Sequence, residues 1–218
     1  MTLSKQKTLA AAAVSLIIVL ASISIFEFSE LNASPIRVTC VGDSLTRGTE
    51  YTIDLWKSLG PNYVVCDLGV GGAAVAQSTG MDYSRQPAFE VAMKFKPNIV
   101  IIMLGTNDAI TDLNETNTAF IADYSALVHQ FQSLSPKPTI WLVEPPPIYN
   151  NTVSHSNDIL VQNVIPNIIQ VASQTNTHLI DANTPLINHP ELYTDGVHPS
   201  ADGAAVIAHA IYTALISH

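Results

Sequence analysis

Charge is scarce in this chain. Of 218 residues, 12% are Asp, Glu, Lys or Arg, and nine basic side chains face eighteen acidic ones, for a net charge of −9. The nine are thinly spread, so no basic patch exists to neutralise phosphates, which argues against a nucleic-acid partner. Cysteine is scarcer still. Cys40 and Cys66 are too few for a disulfide scaffold and leave room for one bridge or two buried thiols. A bridge between adjacent parallel strands needs awkward geometry, which favours the thiols. No His-Glu-x-x-His and no paired Cys-x-x-Cys occurs, so metal catalysis lacks its usual ligand spacing. Internal repeats and low-complexity tracts are absent too. What the chain has in quantity is apolar side chains, 47% of the total. That is enough for a sizeable core and argues against disorder over most of the length.

The first 33 residues differ from the rest. Lys5 and Lys7 precede Leu9–Phe26, an uncharged stretch made mostly of Ala, Val, Leu and Ile. A positive start followed by an apolar run reads as export, either by a cleaved signal or by a retained membrane anchor. Leu31-Asn32-Ala33 is a poor cleavage site, which favours the anchor over 9–26 and an extracytoplasmic domain. Asn32, Asn114 and Asn150 each open an Asn-x-Ser/Thr triplet, which matters only in a host that glycosylates exported proteins. Residues 34–218 make one domain of ordinary size, expected to be a monomer.

Within that domain, apolar strand-like runs alternate with amphipathic helical stretches. Strands are predicted at 36–41, 63–68, 98–104, 139–143 and 178–180. Helices are predicted at 52–59, 87–96, 116–134, 158–175 and 200–216. The Ile-Val-Ile-Ile-Met-Leu run ending at Leu104 has the continuous apolarity of a central parallel strand buried on both faces. Pro166 should kink or split its helix. Five such alternations predict an α/β fold, a parallel sheet covered on both faces through right-handed crossovers.

Small polar or glycine-rich clusters follow the strand ends, which a parallel sheet brings to one edge: Gly42-Asp43-Ser44, Asp67 to Gly72, Gly105-Thr106-Asn107-Asp108 and, after the last strand, Asp195-Gly196-Val197-His198-Pro199. Ser44 at a sharp strand-to-helix turn is either a helix cap or a nucleophile. Asp-x-x-His in a curled loop can supply both a base, His198, and the carboxylate that orients it, Asp195. An acyl-transfer reaction also needs donors for a developing oxyanion. The Ser44 N–H, the Gly72 N–H and the Asn107 side-chain amide are the candidates.

These four blocks, in this order, resemble the SGNH or GDSL hydrolases, whose name lists the Ser, Gly, Asn and His matched by Ser44, Gly72, Asn107 and His198. The resemblance spans residues 36 to 217. It implies a three-layer flavodoxin-like fold with a five-stranded parallel sheet of order 2-1-3-4-5. It also implies Ser44 as nucleophile, His198 as base, Asp195 as its partner and the three oxyanion donors already named. Tyr83 with Pro87-Ala88-Phe89, Ile102 to Asp108, and Pro145-Pro146-Pro147-Ile148-Tyr149 are similar to carbohydrate-type acetylesterases, including sialate O-acetylesterase-like members. One departure stands out: Asp67 occupies a position where the family usually has Asn. A carboxylate near an oxyanion hole opposes the chemistry unless it points away or is paired.

The expectation is therefore a serine esterase acting on short-chain O-acetyl groups of carbohydrate, a small-molecule or glycan ester, with no metal and no cofactor. Asp43, Asp67, Tyr83, Asp108, Pro146 and Tyr149 are candidates for the substrate pocket, walled by loops 77–85 and 145–157. Lysophospholipase or thioesterase action on longer chains is the enzymatic alternative, and a decayed surface carbohydrate-binding module is the non-enzymatic one. Gly69-Val70-Gly71-Gly72-Ala73-Ala74 also fits a relaxed dinucleotide fingerprint. It lies after the second strand, however, and Gln77-Ser78-Thr79-Gly80 soon interrupts any helix it would open.

Overall fold

A computed structural model describes residues 34–110, 117–151 and 154–217. The export segment expected over residues 1–33, and Asn114, lie outside the described residues. Among the described residues no helix is long and apolar enough to cross a membrane.

Five parallel strands form one sheet in the order β2-β1-β3-β4-β5. They are β1 (Ile36–Gly42), β2 (Tyr63–Gly69), β3 (Ile99–Met103), β4 (Thr139–Glu144) and β5 (His178–Asp181). β3 pairs with both β1 and β4. Val100, Ile101, Ile102 and Met103 are all fully buried, as a strand covered on both faces requires. The helices are α1 (Ser44–Arg47), α2 (Tyr51–Leu59), α3 (Pro87–Phe95), α4 (Asn117–Gln132), α5 (Asn157–Ile159), α6 (Ile165–Thr175) and α7 (Ala201–Ile216). α2 packs on α7 and α4 on α6. Phe89 of α3 meets Phe131 of α4 edge to face, with ring centroids 5.6 Å apart, so α3 lies with α4 and α6. The resulting three layers are the architecture expected from the strand-helix alternation.

Sequence chemistry accounts for the boundaries. Pro87 opens α3, where a missing N–H removes nothing. Ser200 caps α7 by accepting from the Gly203 N–H, and Gly60 ends α2. Pro166 does disturb its helix. A π-turn over Leu160–Val164 separates α5 from α6, absorbing the proline's absent donor and its ring. Loop 77–85 is more ordered than its polarity predicts, holding 3₁₀ turns at Gln77–Thr79 and Tyr83–Arg85. The glycine-rich segment after β2 runs into a turn and an isolated bridge, Ala74 to Asp82, and opens no helix, so the dinucleotide geometry is missing.

The two cysteines are free. Thr39 is level with Cys66, and Cys40 with Asp67. One residue of offset points the two thiols to opposite faces of the sheet, because side chains alternate along a strand. Burial also pushes the Cys40 thiol far above its ordinary range.

Candidate active site

The strand ends are level where the site forms. Gly42 pairs with Gly69 on one side and Met103 on the other, and the Gly42 carbonyl accepts from the Val70 N–H at 3.0 Å. The residues that follow, Asp43, Val70 and Leu104, therefore leave the sheet side by side. Gly42 has to be glycine here: a Cβ would run into the Thr46 hydroxyl and lie 2.7 Å from the Met103 carbonyl. Asp43 is buried and caps α1, its Oδ1 accepting from the Leu45 N–H at 2.8 Å. Ser44, the first residue of α1, is partly exposed.

The loop after β5 has to return across the sheet to reach Ser44, and it is tied down as it does so. Thr194 donates its N–H and its hydroxyl to the His198 carbonyl, at 2.9 and 3.1 Å, and the Tyr149 N–H donates to the Gly196 carbonyl at 2.7 Å. Inside the loop one carboxylate organises the rest. Asp195 Oδ1 accepts from the N–H groups of Val197 and His198, and Oδ2 accepts from His198 Nδ1 at 2.7 Å. A carboxylate at Nδ1 keeps the proton there, which leaves Nε2 as an acceptor. Nε2 lies 2.9 Å from Ser44 Oγ. Burial raises the Asp195 carboxyl, but the hydrogen bonds from the His198 and Val197 N–H groups and from the imidazole outweigh it, bringing the group down to about 2. It is a carboxylate at neutral pH. The serine proton therefore has an acceptor at hydrogen-bond distance, and the cation so formed has a fixed anion behind it.

Asn107 stands in the loop that follows β3. Its Nδ2 donates to the Ala73 carbonyl at 2.9 Å, and its Oδ1 lies 3.2 Å from His155 Nε2. Gly72 is exposed immediately before Ala73, with φ +77°. The neighbouring Asp108 is buried and accepts from the N–H groups of Val75 and Ala76. Two consecutive side chains from β3's loop thus hold the loop that carries Gly72.

A family model for GDSL-like lipases and acylhydrolases matches residues 40–206, most of the described structure. The chain belongs to that family. It is a family of ester-hydrolysing serine hydrolases. This GDSL chain is 26% identical over 206 residues to an acetylxylan esterase from Xylanibacter ruminicola, covering 83% of its own length and 43% of the relative's. It thus spans under half of that curated relative. Among solved structures it resembles Est24, a carbohydrate acetylesterase from Sinorhizobium meliloti, with TM-score 0.68 and 20% identity. It also resembles the native aryl esterase of M. smegmatis, with TM-score 0.65 and 21% identity. Each match covers 84% of this chain and 99% of the other. At these identities the likeness is one of fold.

The remaining pocket candidates of the GDSL chain separate by burial. Asp43, Asp108 and Tyr83 are buried, so they support the site from beneath and have no surface for substrate. Tyr83 donates its hydroxyl to the Leu68 carbonyl at 2.7 Å, pinning the 3₁₀ turn to the end of β2. Pro146 is buried as well. Tyr149 is half-buried, with its hydroxyl donating to the Leu186 carbonyl, accepting from the His189 N–H, and its ring edge-to-face on Tyr193. It clasps two loops together. Asp67 turns to α2: Oδ1 accepts from the Gly69 N–H at 2.9 Å, and Oδ2 is 3.5 Å from the Thr52 hydroxyl. Partial desolvation raises its carboxyl. The departure from Asn at this position is therefore partnered and directed along the edge strand. His155 is the residue that motif reading passed over. Its segment, Ser154-His155-Ser156, carries no catalytic signature, and only the pairing of His155 with Ile110 brings it to Asn107.

Proposed function

We propose that the chain is a serine esterase that removes short acyl groups, O-acetyl esters on carbohydrate, with Ser44 as nucleophile and His198 and Asp195 as its base pair. The observation that carries this is the unbroken line from Ser44 Oγ to His198 Nε2 at 2.9 Å and from His198 Nδ1 to Asp195 Oδ2 at 2.7 Å. Ser44 Oγ attacks the ester carbonyl as His198 Nε2 takes its proton. The oxyanion is received by the N–H groups of Ser44 and Gly72 and by the Asn107 amide. His198 then returns the proton to the departing sugar alcohol. Water, deprotonated by the same nitrogen, releases acetate and restores the serine.

The acetyl and carbohydrate parts of this reading are supported by the acetylxylan esterase and the carbohydrate acetylesterase to which the chain is similar. They are supported too by the open rim of the site, where the His198 and Asp195 side chains are 37% and 55% exposed. Such a rim suits a bulky polar alcohol.

The test is hydrolysis of p-nitrophenyl acetate, butyrate and decanoate by the full chain, followed by acetate release from acetylated xylan. Activity should fall steeply beyond the short acyl groups. Ser44→Ala should lower kcat roughly 10⁴-fold or more, and Asp195→Asn by less. Preference for decanoate would move the substrate to a lipid, and a fully active Ser44→Ala would remove the mechanism.

A further inference from the structure

The orientation of the Asn107 amide can be deduced. Its Nδ2 faces the Ala73 carbonyl at 2.9 Å, and a carbonyl oxygen only accepts. The opposite edge of the amide, Oδ1, must then accept from its own neighbour, His155 Nε2 at 3.2 Å. It follows that His155 carries a proton on Nε2. This is the reverse of His198, whose proton is held on Nδ1 by Asp195 and whose Nε2 accepts from the Ser44 hydroxyl.

From this arrangement we propose that His155 is a positioning residue for the oxyanion hole. By donating to Oδ1 it locks the Asn107 amide so that its second Nδ2 hydrogen faces the substrate oxygen. An amide free to rotate would present Oδ1, a partial negative charge, to the oxyanion for part of the time. The inference rests on the esterase reading above and deepens it.

The surroundings of His155 are built to hold it. Its backbone pairs with Ile110 in an antiparallel bridge, and the next residue donates its N–H to the Ala109 carbonyl at 2.8 Å. Asn151 Nδ2 donates to the His155 carbonyl at 3.1 Å and to the Tyr149 carbonyl at 2.9 Å. The same loop places Tyr149 on Gly196, between the proposed acid Asp195 and base His198. One connection after β4 thus steadies both the oxyanion side and the acid-base side of the site.

The experiment compares steady-state kinetics of the full chain on p-nitrophenyl acetate for wild type, Ser44→Ala, Asn107→Ala, His155→Ala, His155→Gln, and the double variant of Asn107→Ala with His155→Ala. Losing an oxyanion donor outright costs about 10²–10³ in kcat, and misplacing one costs up to about 10². His155→Ala should therefore lower kcat roughly 10- to 100-fold with KM little changed. His155→Gln, which returns a donor at the Nε2 position, should recover most of the loss. In the Asn107→Ala background, His155→Ala should cost almost nothing further, because the group it positions is gone. Should His155→Ala fail to fold, His155→Phe keeps the ring without the donor and should show the same kcat loss. Independently of activity, the ¹⁵N spectrum of the histidine side chains should show His155 protonated at Nε2.

Wild-type kinetics in His155→Ala, multiplicative losses in the double variant, a Gln variant no better than Ala, or a His155 bearing its proton only on Nδ1 would each overturn this inference. Loss of activity in Ser44→Ala and Asn107→Ala would at the same time leave the esterase reading standing. An absence of serine-dependent hydrolysis in the wild type would overturn both.

Discussion

Asp43 sits beside the proposed nucleophile and is fully buried, with only Oδ1 receiving a donor. Burial pushes its carboxyl up to about 7, and the Asp108 charge adds to the rise. In the unfolded chain an aspartate ionises near about 3.9. Between about pH 4 and 7 the folded state therefore holds a proton that the unfolded state has released, so stability falls as pH rises through that window and levels off above it. Asp43→Asn cannot ionise. Its stability relative to wild type should climb from pH 5 to pH 8 by about 3 kcal/mol, read as a rising difference in thermal midpoint; a constant difference across that range would show that Asp43 does not titrate on folding. Gly196 sets another residue-scale condition. It lies between the proposed acid and base at φ +84°, and a Cβ there would strike the Asn150 carbonyl. Gly196→Ala should cost about 1–3 kcal/mol in strain and lower kcat with it, as read by thermal unfolding and p-nitrophenyl acetate turnover. Ser44, Asp195, His198, Gly72 and Asn107 could be singled out as candidates because each sits in a short motif, and the structure brings the first three into one hydrogen-bonded line. Tyr83, Pro146 and Asp108 were not assignable that way. A tyrosine in a polar loop looks the same whether it faces a sugar or the core, and its burial depends on Phe89 and the end of β2 packing over it.

At the scale of elements, the loops after β2 and β3 behave as one unit because adjacent residues of the second hold the first. Asn107 holds Ala73, and Asp108 holds Val75 and Ala76. Asp108→Ala strands two buried N–H groups, at about 1–3 kcal/mol for each one left unsatisfied. We expect the amides of Val75 and Ala76 to lose hydrogen-exchange protection while the β3 amides keep theirs, with a kcat loss that follows the displaced Gly72. Unchanged protection at both amides would mean that the loop is held elsewhere. The strands and helices fell close to their predicted places, since apolar continuity, caps and prolines act locally. The π-turn ahead of Pro166 is different. A proline predicts disturbance, but the packing of Leu160 and Val164 into the core decides how the chain absorbs it.

At the scale of the whole molecule, the sheet order brings residues more than 150 positions apart into one hydrogen-bonded line. The order 2-1-3-4-5 puts β1 and β3 together, so Ser44 and Asn107 rise from neighbouring strand ends. The loop after β5 then crosses the carboxyl edge to complete the line. By itself the sequence determined the α/β alternation, the central buried strand and the four motif blocks that mark the family, because periodicity and short-range spacing are written directly in residue order. Only the tertiary structure decided that Cys40 and Cys66 face opposite sides of the sheet, that Asp67 turns to α2, and that His155 braces Asn107. Each of these depends on the register between strands or on a contact between loops distant in sequence, where a shift of one residue reverses the face a side chain presents.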